Sequence, residues 1–170
     1  MKKFAIIIIV IIAIFAVLFF LPFFSVISFT ETKTNEPQMY YIDVGKDTLF
    51  QIRFTHSIHL TDVLETYEII DNKIKMILME YEDVAIGMPA SAEEGQTLIY
   101  EDGKYKLYSN NFIENFVLYV GDVNRDLFFY YEDKEYDLKK FLQRGSSYIV
   151  EVKKISLYDK MKGVRIAHGY

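Results

Sequence analysis

The sequence predicts an all-β domain, a small antiparallel meander closed as a barrel or sandwich, preceded by one N-terminal transmembrane helix. Three observations carry this. An apolar run free of charge extends from Phe4 to Leu21. Beyond residue 38, segments rich in Tyr, Phe, Ile and Val recur at near-regular spacing. Turn dipeptides such as Asp71-Asn72 and Asp102-Gly103 separate several of them, as in hairpin-built sandwiches and barrels.

The apolar run comes first. At about 1.5 Å per residue its length approaches the ~30 Å hydrocarbon thickness of a bilayer, so it reads as a spanning helix. Phe23 to Phe29 adds only Ser25 and Ser28 to the apolar sequence, and residues 1–29 are accordingly read as the anchor. Lys2 and Lys3 precede the run, and the positive-inside tendency then leaves the N-terminus in the cytoplasm and residues from about 31 onward outside. A cleaved signal peptide is the competing reading, with Val26-Ile27-Ser28 as its small-x-small site; the length of the run favours the uncleaved anchor. The chain has no cysteine, which excludes lipid attachment through that residue, disulfides and thiolate metal sites.

Residues 30–38 are polar, hold Pro37 and read as a tether. Residues 39–170 then form the extracytoplasmic β domain. All acidic residues lie beyond position 30, so the exported part carries 17 basic (19 − 2) against 24 acidic side chains, net −7. Phosphate binding needs a positive surface, so nucleic acid is excluded as a partner.

Strands are expected near 39–44, 49–56, 63–70, 73–81, 97–101, 104–109, 113–120, 126–131 and 147–156. Hairpin turns are expected at Asp71-Asn72, Asp102-Gly103 and Glu132-Asp133-Lys134, the first two because Asn and Gly accept positive φ. The helical candidate is 138–142, with Gly145 placed to stop it. Aromatics, 16% of the chain, are read as strand packing rather than as a ligand pocket formed by Tyr40, Tyr41, Tyr67 and Tyr81.

Within 49–56, Phe50, Ile52, Phe54 and His56 alternate with polar neighbours, which puts an imidazole on the apolar face at the strand's end. On 63–70, Glu65 shares a face with Val63, Tyr67 and Ile69. A pairing that sets Glu65 opposite His56 would join a carboxylate and an imidazole as an inward pair. Such a pair orients a ligand, acts as acid and base, or closes a polar core network. Ser57 and Ser91 lack the Gly-x-Ser-x-Gly elbow of a hydrolase. His56-x-x-His59 faces apart on a strand, and with His168 makes no convincing zinc set; no metal, cofactor or enzymatic activity is expected. In Ala85-Ile86-Gly87-Met88-Pro89, Gly87 permits a conformation closed to other residues and Pro89 holds Met88 extended, a sharp strand exit that serves as a rim for the His56 corner.

The run Thr55-His56-Ser57-Ile58, then Val63 and Glu65, then Gly87-Met88-Pro89 resembles the bacterial family of domain of unknown function 1850. The resemblance continues through Asp102-Gly103-Lys104-Tyr105 and Leu118-Tyr119-Val120-Gly121, covering most of residues 40–155. Many relatives carry a second glycine where this chain has Ala85. The resemblance implies a small anchored or exported protein, often encoded beside the fused permease of TAXI-type TRAP transporters. By position, its motif residues are His56, Ser57, Glu65, Gly87, Met88 and Pro89. The expectation is a non-enzymatic accessory protein on the outer side of the cytoplasmic membrane, docking to the permease or its extracytoplasmic binding protein. A binding module for a small carboxylate or amino-acid-like solute is the first alternative, and a structural envelope protein the second.

Overall fold

The charge-free N-terminal run folds as α1, Lys2–Phe20. It stops at Leu21-Pro22, because the residue before a proline avoids the helical region and proline lacks the next donor. α1 is long and apolar enough to cross a membrane, and its apolar side chains are exposed along its length. The computed structural model describes residues 2–84, 87–122 and 125–167.

The described strands, in chain order, are β1 Phe24–Glu31, β2 Met39–Asp43, β3 Leu49–Thr55, β4 Asp62–Ile70, β5 Lys73–Tyr81, β6 Gln96–Glu101 and β7 Lys104–Ser109. They are followed by β8 Phe112–Ile113, β9 Asn115–Tyr119, β10 Leu127–Tyr131, β11 Lys134–Asp137, β12 Ser147–Ile155 and β13 Val164–Arg165. One sheet runs β13-β2-β1-β12-β9; the other runs β11-β10-β3-β4-β5-β7-β6, with β8 also on β5. All pairs are antiparallel except β13 on β2. Neither sheet closes on itself, so the architecture is a sandwich and not a barrel. The expected helix at 138–142 is a 3₁₀ turn, Leu138–Lys140, and a short helix α2, Leu157–Lys162, lies beyond β12.

The expected turns carry the geometry that tight hairpins require. Asp71 and Asn72, Asp102 and Gly103, and Glu132 and Asp133 all have positive φ, between 50° and 78°, the pairing that matches the right-handed twist of the flanking strands.

The expected anchor boundary at residue 29 is corrected. The apolar helix ends at Phe20, and Phe24–Glu31 is the central strand of the five-stranded sheet, hydrogen-bonded to β2 and β12. Val26, Ile27, Ser28 and Phe29 are fully buried. Ile27 and Phe29 enter the core between the sheets; Val26 faces outward into a cluster with Tyr41 and Ile155. A strand buried on both faces is uniformly apolar, and periodicity cannot tell it from a membrane segment. The tether at 30–38 is likewise not there. Thr30 and Glu31 end β1, and 32–38 is the β1–β2 connection, pinned by Glu31 N–H to the Gln38 carbonyl (3.1 Å) and Thr32 N–H to the Ser147 carbonyl (2.9 Å).

Between the sheets the rings form one column. Phe116 stacks on Tyr67 (5.1 Å), Tyr67 on Phe50 (5.0 Å) and Phe50 on Phe129 (5.1 Å), while Phe29 meets Phe129 edge-on at 5.7 Å. Tyr41, Tyr67 and Tyr81 are buried and Tyr40 packs against the core, so they serve as strand packing. Phe29 over Phe129 and Phe116 over Tyr67 are contacts two strands apart in each sheet, so the two strand sets run roughly aligned. β1 leads away from α1, β2 returns, residues 44–48 cross between sheets, and β3 leads away again. The 56–61 turn and the exit of β5 therefore lie at the far end of the sandwich, opposite α1.

A chain that begins at residue 30 lacks Phe24–Phe29 and should not fold. Full burial of Val26, Ile27 and Phe29 is worth about 1.5–3 kcal/mol each, comparable in sum with a domain's whole stability of about 5–15 kcal/mol. A chain that begins at residue 22 should melt cooperatively by circular dichroism while the shorter one gives no transition.

Candidate functional site

The far end of the longer sheet gathers the motif residues, but not as the strand pattern implies. β3 stops at Thr55, paired with Asp62, and His56 begins a tight turn. Its N–H donates to the Thr61 carbonyl (2.8 Å), its carbonyl accepts from Leu60 N–H (3.1 Å), and Leu60 takes a φ of +60°. The imidazole Nδ1 accepts from the N–H groups of Ile58 and His59, both at 3.4 Å. These bonds are long, yet they assign His56 a turn-capping role resembling that of Asn or Asp. The His59 ring lies 5.9 Å from that of His56, and its Nδ1 is 3.7 Å from Asp83 Oδ2, tying the turn to the segment after β5. Ser57 is exposed on the turn's surface.

Glu65 faces inward as its parity predicts, but opposite Ile52 and Met79, not His56. The expected pair is corrected: Ile52 lies four residues before His56, on the order of 13 Å along the strand. Glu65 belongs instead with Tyr67, whose hydroxyl donates to Oε2 at 2.7 Å. Two residues apart on one strand face, they stay neighbours although the β4–β5 ladder shifts register between Thr66 and Tyr67. Burial raises the Glu65 carboxyl above the ordinary carboxylate value, with the Tyr67 hydrogen bond opposing it. Burial and the adjacent carboxylate push the Tyr67 hydroxyl up as well, so it remains a donor. Glu65 is thus placed where Val63, of one apolar cluster, gives way to Tyr67, of the other.

Gly87 has a φ of +90° with open space where a Cβ would project, so conformation and not close approach requires glycine there. Met88 packs on the cluster of Val63, Tyr81 and Leu107, and the buried Tyr81 hydroxyl donates to the Pro89 carbonyl. Gly87-Met88-Pro89 therefore roofs this second cluster. Residues 87–91, with Glu93, Gln96 and Leu107, line an open depression of about 390 Å³. The size suits a small ligand, yet neither His56 nor Glu65 lines it, nor does any basic side chain. Glu93 is the charged residue among those that line it. Ala85 and His168 lie outside the described residues. Among the described residues no three His, Asp or Glu side chains converge as a metal set.

The sequence pattern did not reveal the Tyr67 donor or the His59–Asp83 pair. The first was open to it, since Tyr67 shares Glu65's face; the second depends on where two loops fall and has no local signal.

Residues 50–138, just over half of the chain, match the family described as Domain of unknown function (DUF1850). No curated protein and no solved structure matches the chain. The match runs from β3 to the 3₁₀ turn and contains all six motif residues, whereas β1, β2, β12 and β13 lie outside it.

Two substitutions separate the observed pair from the expected one. Tyr67→Phe should cost about 1–3 kcal/mol by leaving a buried carboxyl without its donor, whereas His56→Ala should cost about 1 kcal/mol or less in urea unfolding. Because the folded state holds the Glu65 proton more tightly than the unfolded chain does, its contribution to stability declines as pH rises from 4.5 through the raised folded value. Glu65→Gln keeps an acceptor for Tyr67 and removes that decline. Its melting-temperature advantage over the parent should be small at pH 4 and grow towards pH 8.

Proposed function

Since the chain belongs to the family described as Domain of unknown function (DUF1850), we propose that it is a membrane-anchored, non-enzymatic accessory protein on the outer side of the cytoplasmic membrane. Its partner belongs to a secondary transporter of the TRAP-TAXI type, and it recognises that partner with its far end. The observation that carries the reading is the placement of the motif. His56 to Thr61 and Gly87-Met88-Pro89 sit on two adjoining loops opposite α1, and the intervening strands carry them about 20–30 Å from the helix exit.

The side chains there favour recognition over catalysis. His56 caps its own turn, Glu65 is engaged by Tyr67, and Ser57 stands exposed on the turn. What the far end presents outward is the surface of a docking site: Ile58 and Leu60 are more than half exposed, beside the exposed carboxylates of Glu82 and Asp83. This combination suits a partner with an apolar spot and a basic surround, whose opposite charge speeds encounter and sets register. The height above the bilayer favours the transporter's extracytoplasmic binding protein over its permease. Confinement to the membrane beside the permease raises effective concentration, so a weak contact suffices. A small-carboxylate ligand finds less support, because Glu93 and no cation lines the depression.

The test is photo-cross-linking in the native cells from position 58 or 88 of the full-length chain, with position 117, on the edge strand β9, as control. The expected product from the far end is a component of a secondary transporter, absent from the control. Cross-links distributed equally between far end and control, or none to a transport protein, contradict the reading.

A further inference from the structure

The end of the sandwich nearest α1 carries an apolar surface that the motif residues do not use. β1 leaves α1 and β12 enters α2 side by side, since Phe24 pairs with Ile155. Ser156 caps α2 in a capping box with Asp159. Lys160 ties the helix inward, bonding Asp43 and lying 4.6 Å over the Phe24 ring. The other side of α2 is uncovered: Leu157 is 41% exposed and Met161, one turn on, 72%.

Two further observations say what meets this side. The Tyr158 ring on α2 lies 5.9 Å from Phe19 and 5.2 Å from Phe20, in the last turn of α1. A helix that crosses the bilayer ends at its interface, so α2 sits at that level. Residues 153–165 also carry five basic and one acidic side chain within a domain of net charge −7. Lys154 and Lys162 are both exposed, and the Lys162 amine lies 4.6 Å over the Tyr158 ring. Apolar side chains, an interfacial tyrosine and flanking lysines are what a helix lying in a lipid headgroup layer presents.

We propose that α2 is a second membrane contact, lying in the interface of the bilayer that α1 crosses. Leu157 and Met161 enter the boundary of the acyl chains, about 5–10 Å deep for such helices, and Lys154 and Lys162 reach anionic headgroups. Two attachments fix the tilt of the sandwich, where α1 alone would act as a swivel. The proposal rests on α1 spanning the bilayer and is independent of what the far end binds.

The chain lacks cysteine, so Met161→Cys gives the full-length protein a single labelling site on an exposed position. A polarity-sensitive fluorophore there is compared with one at Ser57→Cys, in vesicles of phosphatidylethanolamine and phosphatidylglycerol. A nitroxide on the lipid headgroup should quench the label at 161 severalfold more than that at 57, and aqueous iodide should show the reverse order. Leu157→Cys should report like 161. Iodide access at 161 equal to that at 57 overturns the proposal. Protection at 161 from both quenchers also overturns it, because a protein surface would then cover α2.

Discussion

The whole arrangement depends on one covalent constraint: three residues, Leu21 to Phe23, separate the apolar helix from the central strand of a sheet. β1 is flanked by β2 and β12 along almost its full length, and its side chains are buried on both faces. The segment that leaves the helix is therefore part of the core and not a leash. Strand direction follows from it. Because β1 must begin at the helix, the 56–61 turn and the exit of β5 are carried to the opposite end, and the turns at 71–72 and 132–133 stay near it.

The second organising feature is the ring column from Phe116 through Tyr67 and Phe50 to Phe129, which joins the two sheets. Stacked aromatic pairs contribute about 0.5–1.5 kcal/mol beyond the area they bury, and here each inner ring belongs to two such pairs. Tyr67 also holds Glu65, so the buried carboxyl is positioned by the same residue that bridges the sheets. Beyond it the longer sheet extends past its partner, and its apolar face there is roofed by Met88 and Pro89. The Gly87 turn thus has a structural task, covering the overhang, from which its place beside the 56–61 turn follows.

Much of this was legible in the sequence. Strands β2 to β7, β10 and β12 fall within a residue or so of their expected places, because one face of each alternates and their turns carry Asp, Asn or Gly where φ is positive. The inward direction of Glu65 was legible for the same reason. What failed did so where periodicity carries no information. β1 is apolar on both faces and continues a membrane-like run; 113–120 is divided between β8 and β9 by which strand each can reach; α2 is too short to show a period. The His56–Glu65 pair failed because parity fixes the face of a residue but not its register, and the turn at His56 ends the strand before the two can meet.

Charge is also unevenly placed along the sandwich. Glu82 and Asp83 follow β5 at the far end, whereas the basic run 153–165 lies beside α1. This arrangement requires that helix and strand remain one chain. The direct measurement is the intact mass of the protein recovered from the membrane fraction of its own cells. The mass of a chain that still contains residues 2–31 is the predicted result. A shorter species beginning at or beyond Leu21, found in the soluble fraction, would contradict it.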